Sequence, residues 1–457
     1  MQLIFDRGTL VLRAVPSELD VGALPGVCWD ERVQLWRAPG RVAYSLMAAL
    51  KRRGVHVTDG VRPKLAPPSA FRTISLRDYQ SAALHAWRSA GRRGVLALPT
   101  GAGKTHIALA VMAATAAPAL CLVPTRALLG QWMTAIREVY GGPVGCLGDG
   151  EHHLQPVTVA TFASAHRHMQ SVGDKFGLLV VDEAHHFGNS RFDEALQMSI
   201  APLRLGLTAT PPQDVEAMDA LARLVGPVVF EVAVADLLGT SLAPFERITL
   251  RLWLDPDEQT ALDDLSQIYR QAFATFQATH PRGEWKDFVA MAGHTDEGRR
   301  ALAAWRRTRR LLAFPRCKQR ALASLLAQAR DRRTLVFVGD NETAYAVARE
   351  HLIMPLTCDI GRTEREDVLQ RFRDGRLRAL VSAQVLNEGL DVPDADVGIV
   401  VAGRCGTREH TQRVGRLLRP RPGKHARVYE LVVQRSNEVR QANLRWSRLV
   451  TRSRSAA

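Results

Sequence analysis

The chain has 457 residues, 46% of them hydrophobic, and a formal net charge of +15. That length exceeds one ordinary domain and points to about three, while the charge favours a polyanionic partner such as nucleic acid or reflects an arginine-biased composition, since the basic residues are overwhelmingly arginine. The six cysteines (Cys28, Cys121, Cys146, Cys317, Cys358, Cys405) are dispersed without a CxxC pair, which excludes a disulfide frame or a zinc cluster of usual spacing; with no signal-peptide pattern and no apolar run of about 18 residues, the expectation is a cytoplasmic, nucleoid-associated protein with no membrane partner.

Residues 1–70 open with Leu3-Ile4-Phe5, a turn at Asp6-Arg7-Gly8, and Thr9 to Leu12, which predicts strand–turn–strand. Val42 to Leu50 reads as a short helix and Pro63 to Ser69 as a proline-rich linker. From 71 to about 235, the apolar runs Gly94–Leu98, Ala119–Val123, Val157–Ala160, Leu178–Val181 and Leu203–Leu207 alternate with helical patterns. Such alternation predicts a parallel sheet covered by helices. Residues 236–315 break the rhythm: Asp257 to Leu312 is helix-forming and carries the basic cluster Arg306, Arg307, Arg309, Arg310. Strands resume in 316–457, at Thr334–Val338, Ala379–Ser382, Gly398–Val401 and Val428–Val433.

Pro99-Thr100-Gly101-Ala102-Gly103-Lys104-Thr105 lies between a strand and the apolar helix Ile107–Met112. Glycines there let backbone N–H groups converge on phosphate, with Lys104 on the β- and γ-phosphates and Thr105 on Mg²⁺. The strict phosphate-loop pattern wants glycine where Leu98 stands. Asp182 and Glu183 close the buried run Leu178–Val181. An acidic pair there is either a helix cap or, beside a phosphate loop on a neighbouring strand, a metal-holding carboxylate with a water-activating partner. His185 and His186 follow, without an evident third metal ligand.

The ordered motifs from Leu76 to Arg419 resemble helicase superfamily 2. Leu76-Arg77-Asp78-Tyr79-Gln80 resembles the adenine-recognising motif, implying nucleotide contacts from Arg77 and Gln80. Pro124-Thr125-Arg126 and Thr161 resemble strand-gripping motifs, and Leu207 to Thr210 the third motif. Leu335 to Val338 resembles motif four, and Asn387 to Pro393 motif five, implying nucleotide contacts from Gly389 and Asp391. Gln412 to Arg419 resembles motif six, in which Gln412, Arg416 and Arg419 would act catalytically from the second domain. The two arginines, three apart, share one helix face and suit γ-phosphate charge; a solvated basic face is the alternative.

More narrowly, Phe5 to Thr9 with Leu24 to Arg32 and Arg37 to Pro39 resemble the N-terminal domain of XPB-type helicases, the helical insertion resembles their thumb, and Arg310 to Arg316 resembles the entry to their second motor domain. A generic stability cap is the other reading of the N-terminal module. The resemblance implies two RecA-like parallel-sheet α/β motor domains with a small N-terminal α+β domain and a helical thumb-like insertion. It also implies ATP and Mg²⁺ as cofactors, single-stranded, duplex or forked DNA as substrate, 3′→5′ movement, and a nuclease or other repair partner. The family's Arg-Glu-Asp element is missing: Pro211 to Glu216 stands in its place, which favours translocation over melting. The thumb arginines either contact phosphate or form a solvated face, and Trp285 and Trp305 either stack on bases or fill the helical core. An RNA remodeller and a nucleotide-gated scaffold remain the alternatives.

Overall fold

The computed structural model describes residues 1–59, 61–212, 214–237, 244–383, 395–402 and 425–450. They divide into two compact units, one of residues 1–237 and one within residues 238–451.

The first unit begins with strands Gln2–Asp6 (β1), Thr9–Arg13 (β2), Cys28–Asp30 (β3) and Leu35–Pro39 (β4), helix Ala43–Arg52 (α1) and strand Thr58–Asp59 (β5). They form one sheet in the order β3-β4-β2-β1-β5. The β1–β2 turn uses Arg7 and Gly8 at positive φ (45° and 86°). Leu3, Leu10 and Leu12 alternate onto the buried face and meet Leu46 and Leu50 of α1.

Next come helix Asp78–Ser89 (α2), strand Arg93–Ala97 (β6), helix Lys104–Thr115 (α3), strand Ala119–Val123 (β7), helix Arg126–Val139 (α4) and strands Val144–Gly148 (β8), Glu151–His153 (β9) and Val157–Thr161 (β10). Helix Phe162–Val172 (α5), strand Leu178–Val181 (β11), helix Asp193–Met198 (α6), strand Leu203–Thr208 (β12), helix Val215–Leu224 (α7), strand Val228–Glu231 (β13) and helix Val234–Leu237 (α8) complete the unit. The sheet order is β13-β6-β12-β11-β7-β10-β8-β9, parallel except for the β8–β9 hairpin. Every residue of β7, β8, β10 and β11 is buried. Helices on both faces are the reason these strands read as unbroken apolar runs.

The N-terminal sheet seats on this domain through the α6 end. Ile200 belongs to the small domain's core. A Cβ at Gly40 would lie 2.7 Å from the Met198 carbonyl carbon, and one at Gly8 2.5 Å from Met198 Cγ. Only glycine admits that approach.

The second unit starts with strand Phe245–Leu252 (β14), then helices Pro256–Thr279 (α9), Trp285–Ala292 (α10), Asp296–Ala313 (α11) and Arg316–Gln328 (α12). It continues with strand Thr334–Phe337 (β15), helix Asn341–His351 (α13), strand Met354–Leu356 (β16), helix Arg362–Arg373 (α14), strands Ala379–Ser382 (β17), Val397–Val400 (β18) and Ala426–Val433 (β19), and helix Asn437–Val450 (α15). Its parallel sheet runs β14-β19-β18-β15-β17-β16. The 236–315 stretch, expected as linker and helices, thus contributes an edge strand, β14, paired along its length with β19. The helical insertion is α9–α11, closed by an aromatic core of Phe273, Phe276, Trp285 and Phe288. Among the described residues no helix is long and apolar enough to cross a membrane.

Candidate nucleotide site and strand-facing elements

The loop between β6 and α3 is built for close backbone approach. Gly101 and Gly103 adopt φ of 86° and 75°, and Gly103 leads into α3, which begins at Lys104. Ala102 is fully buried. Leu98, standing where the strict pattern has glycine, extends the ladder: its N–H donates to Thr208 O at 2.9 Å. Lys104 Nζ folds back to donate to Leu98 O (3.1 Å) and Pro99 O (3.3 Å). An ammonium whose partners among the described residues are loop carbonyls, within a cradle of positive-φ glycines, fits a phosphate ligand.

Gln80 lies against this loop rather than on the surface. Its Oε1 accepts from Arg77 N at 2.9 Å, and its Nε2 donates to Ala102 O at 3.0 Å. Tyr79 OH donates to the same carbonyl at 2.8 Å. Gln80 is therefore tied to the phosphate loop through the Ala102 carbonyl.

The acidic pair was expected on a strand neighbouring the loop's strand; instead β12 lies between β6 and β11. Motif three sits in that gap because Thr208 ends β12. Asp182 stays in the ladder, donating its N–H to Leu122 O. Its Oδ1 accepts from Glu183 N (2.9 Å) and its Oδ2 from the Trp132 indole Nε1 (2.8 Å). Glu183 turns out of the strand at φ 48°. His185 Nδ1 lies 3.1 Å from Thr208 Oγ1 and 3.3 Å from Glu183 Oε2, while Thr208 Oγ1 donates to Thr210 O at 2.9 Å. Motifs two and three are thereby joined by side chains.

The electrostatics separate the two acids. Burial, with the Glu183 charge beside it, pushes the Asp182 carboxyl up to about 6. For Glu183 the burial penalty is outweighed by hydrogen bonding from His185 and by the Lys104 charge, which hold it down at about 2. Buried like charges repel, so one site holds its proton more tightly. Glu183 Oε2 is buried and lacks a well-aligned donor. Two adjacent buried carboxylates, Asp182 with spare lone pairs and Glu183 with an oxygen that among the described residues meets only the His185 ring, suit a divalent cation and an activated water.

The strand-facing candidates differ in presentation. Thr125 caps α4, accepting from Leu128 N at 3.3 Å, and Arg126 is exposed with an ion pair to Asp149. Pro124 is half-buried. Thr161, expected to grip a strand, is buried and caps α5, accepting from Ser164 N at 3.2 Å and donating to Ser164 Oγ; its hydroxyl is spent locally. Arg306, Arg307 and Arg310 are exposed on α11, whereas Arg309 lies 4.7 Å above the Trp305 ring. Half-buried Trp285 packs on Tyr269, Phe273 and Trp305 at the edge of the helical core, while Trp305, also half-buried, lies beneath Arg309. In the stretch replacing the Arg-Glu-Asp element, Asp214 caps α7 by accepting from Ala217 N. Gly389, Asp391, Gln412, Arg416 and Arg419 lie outside the described residues. Trp132 was not singled out in the sequence; its only local sign is a tryptophan on the apolar stripe of α4 together with Leu129 and Ile136.

A phosphate-type loop and an acidic pair at the carboxyl edge of one parallel sheet, with a second parallel-sheet domain downstream, define a RecA-like helicase core. The chain belongs to the XPB-type helicase family. Residues 73–213 match the family description of the type III restriction enzyme res subunit, residues 317–421 the helicase conserved C-terminal domain, and residues 3–61 the xeroderma pigmentosum group B helicase damage recognition domain. The chain is similar to the DNA 3'-5' translocase XPB2 of Sulfurisphaera tokodaii, at 32% identity over 92% of this chain and 96% of the relative. It is also similar to the DNA 3'-5' helicase XPB of Mycobacterium tuberculosis, at 28% identity over 79% of this chain and 61% of that one. Among solved structures, the Pyrococcus furiosus Hef helicase domain shares the fold, with a TM-score of 0.53 at 20% identity over 81% of this chain and 98% of that one.

Proposed function

We propose that this protein is an ATP-driven DNA translocase and helicase that moves 3′→5′ and acts in repair at the nucleoid. What carries the reading is the positive-φ glycine loop that holds Lys104 together with the buried Asp182–Glu183 pair at the carboxyl edge of the same sheet. Bound ATP with Mg²⁺ would supply the phosphoanhydride whose hydrolysis drives the cycle.

The loop N–H groups of residues 99–105 and the Lys104 ammonium hold the phosphates, and Arg77 with Gln80 serve the base end while bracing the loop. Thr105 and Asp182 hold the cation. Glu183, kept ionised, orients and polarises the attacking water. Gly389, Asp391, Gln412, Arg416 and Arg419 retain the nucleotide roles that the family pattern implies. Thr125 and Arg126 present the N-terminal end of α4 to strand phosphates, and Arg306, Arg307 and Arg310 supply a salt-sensitive thumb contact. The use of Asp214 as a helix cap, where the family carries its Arg-Glu-Asp element, supports movement along duplex with little strand separation. A nuclease or other repair partner completes the reading.

The test is ATP hydrolysis in the presence of single-stranded, duplex and forked DNA, with matched RNA. DNA should stimulate turnover, and Glu183→Gln should bind ATP while turning over at least about a hundredfold more slowly. Stimulation by RNA alone would remove the DNA assignment; normal turnover by the variant would remove the role of Glu183.

A further inference from the structure

Among the described residues, the side-chain donor on Asp182 comes from α4, the helix whose N-terminal end carries Thr125 and Arg126. Trp132 is 2% exposed and lies in the second turn of α4. Its indole Nε1 donates to Asp182 Oδ2 at 2.8 Å, and this is a long-range contact, fifty residues apart in sequence. The remaining hold on the carboxylate is its own chain neighbour, Glu183 N on Oδ1. Each carboxylate oxygen accepts more than one partner, so a single donor on each oxygen fixes the plane of the group while leaving lone pairs for a cation.

The same helix begins at Thr125 and Arg126. Six residue steps of helix lead from Arg126 to Trp132, about 9 Å of stiff backbone. Leu129, Trp132, Met133 and Ile136 bury one stripe of α4 against the sheet, so movement of its exposed end carries the indole with it. A shift of a few tenths of an ångström at the donor alters a charge-assisted hydrogen bond.

We propose that Trp132 is a positioning residue through which α4 couples strand binding at Thr125–Arg126 to the orientation of the cation-holding carboxylate Asp182. The inference rests on the reading of the site as a nucleic-acid-stimulated ATPase. Strand phosphates seated on the α4 N-terminus hold the helix in the register seen here, in which the indole N–H meets Asp182 Oδ2 at 2.8 Å and fixes it for Mg²⁺. Without a strand, that carboxylate is held less well. Stimulation of hydrolysis by DNA then passes through one hydrogen bond.

Two replacements isolate it. Trp132→Phe removes the N–H and part of the ring. Substitution of Trp132 by β-(3-benzothienyl)alanine keeps the ring shape, with sulfur where the N–H was, and so preserves packing if the phenylalanine variant folds poorly. The readouts are the Mg²⁺ concentration for half-maximal binding of a fluorescent ADP analogue, binding of that analogue in EDTA, and the ratio of ATP hydrolysis with and without duplex DNA. Both replacements should raise the Mg²⁺ requirement about tenfold, as expected for losing a hydrogen bond to a charged acceptor. Binding in EDTA should not change, and the stimulation ratio should fall toward one. An Mg²⁺ shift with full stimulation, or lost stimulation with an unchanged Mg²⁺ requirement, overturns the coupling. Wild-type behaviour of a folded variant does the same while leaving the proposed function standing. A wild-type protein that DNA does not stimulate at all removes the function first, and the coupling with it.

Discussion

Arg204 offers the sharpest test of how the first motor domain is held together. It is fully buried near the start of β12, and burial, with the Arg93 and Arg41 charges nearby, depresses its pKa well below the usual arginine value. Its recorded side-chain partners are four backbone carbonyls: Ala201 O (3.1 Å), Leu196 O (3.0 Å), Leu224 O and Ser199 O (2.7 Å). Three belong to the last turn of α6 and the residues just after it, the stretch with Met198 and Ile200 that seats the N-terminal domain. Arg204→Met keeps an apolar stem but strips every one of these carbonyls of its donor. At the low end of about 1 kcal/mol for each stranded acceptor the loss is roughly 4 kcal/mol. Relief of the desolvated guanidinium offsets some of it, since a buried charge is itself unfavourable, and about 3 kcal/mol is the expected net loss. Urea unfolding of the full chain should show the early transition moved to lower denaturant. Hydrogen exchange should show residues 196–201 opening with it. Arg204→Lys, with donors from one point only, should fall between. A methionine variant with an unchanged transition and unchanged exchange would refute the carbonyl-clamp argument.

Two further outcomes follow from the same geometry. Gly40→Ala drives a methyl group into the Met198 backbone, which cannot yield as a side chain would; overpacking of this kind should cost about 2 kcal/mol, read as faster proteolytic release of the N-terminal domain, and wild-type release would contradict the seam. Asp182, raised from 3.8 to about 6, is increasingly protonated below that pH, so Mg²⁺ affinity should fall about tenfold per pH unit below it, and a flat profile between pH 4.5 and 6 would contradict the assignment. In the cation-free protein, the raised Asp182 value removes stability as pH rises from about 4 to 6. The depressed Glu183 value contributes stability above 4.5 that is lost as pH falls toward 2.

Sequence by itself determined whatever depends on neighbours along the chain. The apolar runs became β7, β10 and β11 because strands buried on both faces need no polar alternation, and residues 99–105 carried their phosphate loop in the order of their glycines. The ordered motifs placed the chain in helicase superfamily 2, and Phe5 to Thr9, Leu24 to Arg32, the helical insertion and Arg310 to Arg316 narrowed it to the XPB type. Tertiary structure alone decided which distant groups meet. Strand β14 reads as linker until β19 offers it a ladder, and Arg247 then reaches Glu430. Likewise β12 separates the loop from the acidic pair, Trp132 finds Asp182, and Arg204 gathers carbonyls from the C-terminal ends of α6 and α7. The physical reason is the same in each case. Local patterns follow from backbone sterics and burial, whereas these partners are selected by how the elements close-pack, and no spacing in the sequence encodes that.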